Sequence, residues 1–266
     1  MPKCLNLHDF DLIIINSSAG KDSLAALWEM NRLATDQAYP SDQIKVSHQD
    51  LGSMEWKGTL DLARQQAELF GFEFFVTKQR NKEGVNETLL EYVEKRGKWP
   101  SNKQRYCTSD FKRGPGARVV TMLTKGMGEC KVLYVFGFRA EESPARKKKE
   151  TLKLNTRLSN KKRTVYDFLP VHDWKATKVW EVIKENNLPY HPAYDKGMPR
   201  LSCCFCIFAP FDALVIAGQE NPELLQQYVD VEERIGHSFK RDEKIADVKQ
   251  AIDEGYQPKA LHDWVM

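Results

Sequence analysis

The chain has 266 residues, 41% hydrophobic and 29% charged, with a formal net charge of +3. It can bury one sizeable core, or one core plus an appendage. No apolar run approaches bilayer-spanning length and Met1 to Phe10 hold no apolar leader segment, so a soluble, cytoplasmic protein with no membrane partner is expected. Six cysteines, three of them at Cys203, Cys204 and Cys206, do not make a secreted disulfide scaffold. They point to metal, cluster or redox chemistry in a reducing compartment.

In chain order, Leu12 to Ile15 reads as a buried strand. It is followed by a turn of small residues, Asn16-Ser17-Ser18-Ala19-Gly20, and a helix with apolar positions at Leu24, Leu27, Trp28 and Met30. Ile44 to Ser47 is a second strand and a helical pattern runs from about Glu55 to Phe70. Phe72 to Thr77 is a third strand, Val85 to Lys95 a helix, and Lys131 to Phe136 a further buried strand. Between them, Trp99 to Gly116 reads as a loop dense in Arg, Lys, Tyr and Cys. Strand–helix alternation argues for an α/β fold: an open, mostly parallel sheet with helices on both faces, binding ligands outside the carboxyl ends of its strands. After Gly197 the character changes, with helical patterns at Phe211–Gly218, Pro222–Ile235 and Glu243–Asp253. We therefore expect a nucleotide-binding α/β domain over 1–200 and a small helical appendage over 201–266, with the cysteines at the junction.

The first turn suits phosphate. A strand-to-helix turn leaves backbone amides at a helix N-terminus, where the helix dipole and an ammonium favour an anion. Lys21 supplies the ammonium, and Ser18 and Ser23 add hydroxyls. The loop is not of the Walker type, because Ile15 and Asp22 stand where that pattern needs Gly and Ser/Thr. Asp22 suits either Mg²⁺ or the start of the helix, and Asp50 suits a ribose or a metal. Arg139 and Arg146 suit phosphates, or Glu141 and Glu142 tie them into a structural network. Cys107, Cys203 and Cys206, with Cys204 as a spare, suit a [4Fe–4S] cluster or Zn²⁺, and spacing does not separate the two. Cys4 and Cys130 read as packing residues. Trp56, Trp99, Phe138 and Trp174 are candidates for stacking on a base, or simply core. Between Arg139 and Arg163 ten Lys/Arg face three Glu, so an anionic partner is expected there, nucleic acid being the plausible one.

Ser18-Ala19-Gly20-Lys21-Asp22-Ser23 resembles the Ser-Gly-Gly-Lys-Asp-Ser signature of the PP-loop ATP pyrophosphatases, with Ala19 for the first Gly. Asp50-Leu51-Gly52, Arg105-x-Cys107 with Lys112-x-x-Pro115, and Gly137-Phe138-Arg139-Ala140-Glu141-Glu142-Ser143-x-x-Arg146 resemble successive segments of the PAPS reductase family. So do Pro170-Val171-His172-Asp173-Trp174 and the run from His191 through Arg200 to Cys203-x-x-Cys206. The resemblance covers roughly residues 11 to 208. It implies an adenine nucleotide alpha hydrolase-like fold, with Ser18, Ala19, Gly20, Lys21, Asp22, Ser23, Asp50, Gly137 and Arg139 at the nucleotide. Lys21, Asp22 and Arg139 would be catalytic, and Arg105, Lys112, Arg146 and Arg200 would bind substrate phosphate.

The Glu-Cys-Gly-aliphatic-His segment of assimilatory PAPS and APS reductases is not found, and Tyr106-Cys107 stands where APS-type enzymes carry Cys-Cys. The chain looks more like the Dnd-type ATP pyrophosphatases of DNA phosphorothioation and the reductase-like proteins of phage. That likeness implies ATP and Mg²⁺ as cofactors, cleavage of ATP to AMP and pyrophosphate, and activation of an acceptor for sulfur transfer. A cysteine desulfurase or other sulfur donor would be a partner. A sulfonucleotide reductase and a non-catalytic nucleotide-binding subunit are the alternatives.

Overall fold

Residues 12–15 are all apolar and three of the four are β-branched, the composition of a strand buried on both faces. In the computed structural model, which describes residues 5–262, β1 (Leu12–Asn16) is the centre of a six-stranded sheet. The other strands are β2 (Ile44–Gln49), β3 (Glu73–Thr77), β4 (Cys130–Val135), β5 (Leu152–Leu154) and β6 (Arg163–Phe168), in the order β3-β2-β1-β4-β6-β5. All pairings are parallel except that of β5 with β6. The expected open, mostly parallel α/β sheet is therefore the observed one.

Alternate β1 residues face opposite sides, as the strand period requires. Ile13 and Ile15 pack with Leu27 and Met30 of α1 (Lys21–Asp36) and Ala67 of α2 (Thr59–Leu69). Leu12 and Ile14 pack with Val119 and Val120 of α5 (Gly114–Leu123). Helices thus cover both faces. The chain runs outward from β1 to β2 and β3 and then returns to β4 on β1's other side. The carboxyl ends of β1 and β4 form the topological switch point, where such sheets bind ligands.

The chain divides into two units: 1–49, 58–77 and 116–191 form the first, and 50–57, 78–115 and 192–266 the second. This differs from a single boundary at 200. The second unit's helices, α3 (Leu89–Arg96), α4 (Tyr106–Thr108), α8 (Phe211–Glu220), α9 (Pro222–Ile235) and α10 (Ile245–Asp253), cannot close a core by themselves. Leu51, Met54, Trp56 and Trp99 complete it, and Trp99 stacks on Tyr228 with centroids 5.2 Å apart. The Glu232 carboxylate accepts from the amides of Phe239, Ile245 and Ala246, tying α10 to α9.

Among the elements not expected from sequence are α5, β5 and β6. Helix α5 begins at Gly114-Pro115-Gly116, breakers that read as loop but are tolerated in a first helical turn. Gly116 is needed there, because a Cβ would stand 2.5 Å from the Tyr134 hydroxyl. β5 and β6 lie at the sheet edge, half-buried and interleaved with charge, so they lack a continuous apolar run.

Candidate nucleotide and thiol sites

The loop between β1 and α1 is held by hydrogen bonds from several elements. Ser17 Oγ accepts from Ala19 N at 3.2 Å, and Ser23 Oγ accepts from Ser18 N at 3.3 Å while donating to Gly20 O at 2.9 Å. His48 Nδ1, on β2, lies 2.9 Å from Ser17 O. Gln66, fully buried on α2, donates from Nε2 to Ala19 O (3.2 Å) and Pro189 O (2.9 Å). The turn requires a positive φ: Ala19 has φ 57°. Alanine pays about 1–2 kcal/mol for that conformation, which a glycine adopts freely.

Helix α1 opens with Gly20 as N-cap and its first helical bond runs from Leu24 N to Gly20 O, so the first-turn amides point out of the N-terminus. Lys21 is 2% exposed, with Nζ 3.6 Å from Asp22 Oδ2. Ser18 is the exposed hydroxyl of the loop, whereas Ser23 is buried within it.

Gly137, just past β4, meets the same turn. A Cβ there would stand 2.4 Å from Asp22 O and 2.8 Å from Ser23 N. Two residues on, Arg139 is fully buried; Nε donates to Asp22 Oδ1 (2.6 Å) and Nη1 to Glu141 Oε2 (2.5 Å). Glu142 accepts from Arg139 N at 2.8 Å and pairs with Arg146. Burial works to lower the Arg139 pKa, and Asp22 above all outweighs it, so the pKa is raised and the guanidinium stays charged. Of the two readings left open for these arginines, the network is the one observed. Arg139 and Gly137 reach the loop as its support, and Arg146 lies over the Phe138 ring at 4.5 Å. Asp22 lies in the first turn of α1, the start-of-helix reading of the two, with Oδ1 on Arg139 Nε and Oδ2 3.6 Å from Lys21 Nζ. The sequence gives no role to His48 and Gln66, because buried polar residues leave no periodic mark; His48 alone lies near a strand end, and Gln66 sits mid-helix.

In the second unit, Asp50 Oδ1 accepts from Gly52 N (2.6 Å) and Oδ2 lies 2.8 Å from Lys78 Nζ. It therefore shapes a turn and an ion pair, which does not fit an open metal ligand. Arg105 is exposed over the Phe208 ring at 4.4 Å, and Arg200 is buried. Trp56 and Trp99 are core residues, as is Cys130 in the first unit; Cys4 lies outside the described residues.

Cys107, Cys203 and Cys206 do gather around Lys112. The Lys112 pKa is raised, by Cys203 first and then by Cys206, Cys107 and Glu55, against its own desolvation. Lys112 is exposed. Burial pushes the Cys203 thiol up to about 12, and the Cys206 and Cys204 thiols upward as well. Among the described residues no group of three or more His, Cys, Asp or Glu is placed to hold a metal ion. The donor chemistry, three thiols beside one cation, fits a thiolate-held metal or cluster.

A family profile described as "Phosphoadenosine phosphosulfate reductase domain" matches residues 12–209. The chain belongs to this family. Among its relatives are an uncharacterized protein of Methanocaldococcus jannaschii, 29% identical over 83% of the chain and 47% of the relative, and an adenosine 5'-phosphosulfate reductase of Lysinibacillus sphaericus, 32% identical over 41% of the chain and 40% of the relative. The matches thus span less than half the length of these two curated relatives. The fold is that of the phosphoadenylyl-sulfate reductase from Candida auris in its phosphate complex: TM-score 0.50, 21% identity, covering 74% of this chain and 83% of that one. No helix among the described residues is long and apolar enough to cross a membrane.

Proposed function

We propose that the chain is an ATP pyrophosphatase of this family that transfers AMP to an acceptor and thereby activates it for sulfur transfer. The observation that carries the reading is the β1–α1 loop: a positive φ at Ala19, first-turn amides, and Lys21 buried at the N-terminus of α1, all at the switch point of the sheet. Amides and Lys21 would hold the β- and γ-phosphates, with the Ser18 hydroxyl at their edge. An acceptor oxygen attacks the α-phosphorus in line, the bond from that phosphorus to the β-bridging oxygen breaks, and pyrophosphate leaves with the charge that the loop neutralises. Arg139 keeps Asp22 in place rather than touching the nucleotide. Mg²⁺ would come in with the phosphates of ATP, whose oxygens it bridges.

Cys107, Cys203 and Cys206 would hold a [4Fe–4S] cluster, with Zn²⁺ the alternative, and Lys112 would balance its negative charge. A cluster with three protein thiolates supplies one iron able to bind an exogenous sulfur. A cysteine desulfurase or another sulfur donor is the expected partner, and nucleic acid the acceptor class. Tyr106, standing before a lone Cys107, favours the Dnd-type and phage-like branch.

The test is AMP and pyrophosphate release from ATP by anaerobically purified protein, with RNA or DNA present. Pyrophosphate equal to the sum of free AMP and AMP-linked acceptor is expected. A second reading, a sulfonucleotide reductase, is favoured by the stretch resembling adenosine 5'-phosphosulfate reductases. Sulfite release from adenosine or phosphoadenosine phosphosulfate, lost in Cys107→Ser, would establish it instead. ATP binding without either product would leave a non-catalytic subunit.

A further inference from the structure

The basic window from Arg139 to Arg163 separates into cations held by carboxylates or hydrogen bonds and cations that are not, of which Lys149 lies over the Phe138 ring at 5.9 Å. Arg139 and Arg146 belong to the carboxylate network, Lys153 pairs with Glu150 at 2.6 Å, and Arg163 donates to Leu158 O and Thr124 Oγ1. Six remain exposed with no carboxylate at ion-pair distance among the described residues: Lys147, Lys148, Lys149, Arg157, Lys161 and Lys162. Uncompensated like charge on one element is costly unless a polyanion neutralises it.

These six do not sit on a loose loop. Lys147 to Lys149 close and follow α6 (Pro144–Lys147), with Lys147 N bonded to Ser143 O and Lys149 N to Arg146 O. Arg157 sits in a turn fixed by Leu158 N to Asn155 Oδ1 (3.0 Å) and Ser159 N to Asn155 O. Lys161 and Lys162 lie in the Asn160–Arg163 turn, closed by Asn160 N to Arg163 O (2.9 Å) and Lys162 N to Asn160 Oδ1 (2.8 Å).

The strand register gives their order along the sheet edge. Arg163 pairs with Cys130 at the amino end of β4, so Lys161–Lys162 lie at that end. Leu152 pairs with Phe168 at the carboxyl end of β6, so the turn holding Lys147–Lys149 lies at the other. Between them, Asn155, two residues before Arg157, meets the middle of β6, its N donating to Val165 O at 2.8 Å. The span of β6 is about 17 Å at ~3.3 Å per residue, which matches about five phosphates of one strand in a duplex. The carboxyl end of this stripe follows directly from Arg146, which is linked through Glu142 and Arg139 to Asp22 of the nucleotide loop.

We propose that this edge of the first unit is a track for the phosphodiester chain of a nucleic acid. The chain would run beside the β5–β6 edge, parallel to β6, from Lys161–Lys162, past Arg157, to Lys147–Lys149, and so bring the acceptor to the end of the sheet that carries the loop. This rests on the nucleic-acid acceptor named above and makes its footprint specific.

The test is fluorescence anisotropy of the full chain with a 20-base-pair duplex and a single strand of equal length, without ATP, across a salt series. With six contacts the log affinity of the duplex should fall against log salt with a slope of about −5. Each of two triple variants, K147Q/K148Q/K149Q and R157Q/K161Q/K162Q, should roughly halve that slope and weaken binding more than tenfold at low salt. The control pair K82Q/K103Q should leave it unchanged. Urea midpoints equal to wild type would show that the triples fold. Binding unaffected by both triples, no oligonucleotide binding, or binding to phosphatidylglycerol vesicles in preference to oligonucleotides would each overturn the track. Track-dependent binding without pyrophosphate release would leave the track standing and reject adenylation. Pyrophosphate release without oligonucleotide binding would do the reverse.

Discussion

Hydrogen bonds from β2, α2 and the loop itself hold the Ser17–Ser23 turn of the first unit, whereas apolar packing positions the thiols of the second. His48, Gln66, Ser17 and Ser23 each bond a backbone atom of the loop. Cys107, Cys203 and Cys206 instead pack against the core containing Trp99, Phe205 and Tyr228. A phosphate site made of backbone amides has its shape as soon as the chain folds. A thiolate site is completed by the ion that deprotonates it. The first should tolerate conservative changes poorly wherever backbone approaches backbone. The second should respond to ligand removal with little change in fold.

The largest effect is expected at the anion itself. Lys21→Met should lower kcat/KM for pyrophosphate release by about 100-fold or more, the scale of losing one preorganised charge-stabilising group. Iron or zinc content per chain, measured in parallel, should stay at the wild-type level. Cys203→Ser should give the opposite pattern. Metal per chain should fall to a small fraction of wild type, while the ATP dissociation constant measured calorimetrically changes less than threefold. Loss of ATP binding in Cys203→Ser, or of metal in Lys21→Met, would erase the contrast between the two sites.

Smaller effects sharpen the loop's side of the comparison. Gly137→Ala would drive a methyl into the Asp22 and Ser23 backbone, so urea unfolding should show a loss of about 1–3 kcal/mol, with weakened ATP binding. At Ala19 the positive φ makes a specific forecast. Ala19→Gly relieves strain but adds chain entropy, and should leave stability within about 1 kcal/mol of wild type. Ala19→Val, β-branched in a left-handed conformation, should be clearly less stable and inactive.

The smallest effect concerns pH. Burial raises the Tyr39 phenol to about 12, its hydroxyl donating to Phe10 O at 3.0 Å. A raised folded pKa stabilises fully below the unfolded value near 10 and is lost as pH rises through about 12. Stability should therefore fall between those values, and Tyr39→Phe should flatten that part of the profile.

What could be read beforehand follows the same division. β1, the loop and α1 were legible because an apolar run, small residues and a helical stripe adjoin in sequence, and the resemblance added the strand ends that meet there. The supporting residues were not, since a buried Gln66 on α2 looks like any polar helix position until Ala19 O is seen beside it. The second unit is not one stretch of sequence: its core borrows Leu51 to Trp56 and Leu89 to Phe111 from segments interleaved with the sheet. Periodicity within a segment does not reveal which core a segment joins. Arg139 illustrates the limit for sites: its motif placed it at the loop, but only the carboxylates at 2.5 and 2.6 Å show that it braces Asp22.

The central claim is that the β1–α1 loop holds the β- and γ-phosphates while the bond to the α-phosphorus is cut. Chromatography of products from ATP labelled at the α-phosphate tests it most directly, with nucleic acid present. The account predicts label in AMP or in an AMP-linked acceptor, matched by unlabelled pyrophosphate. Label appearing in ADP, with release of inorganic phosphate, would contradict it.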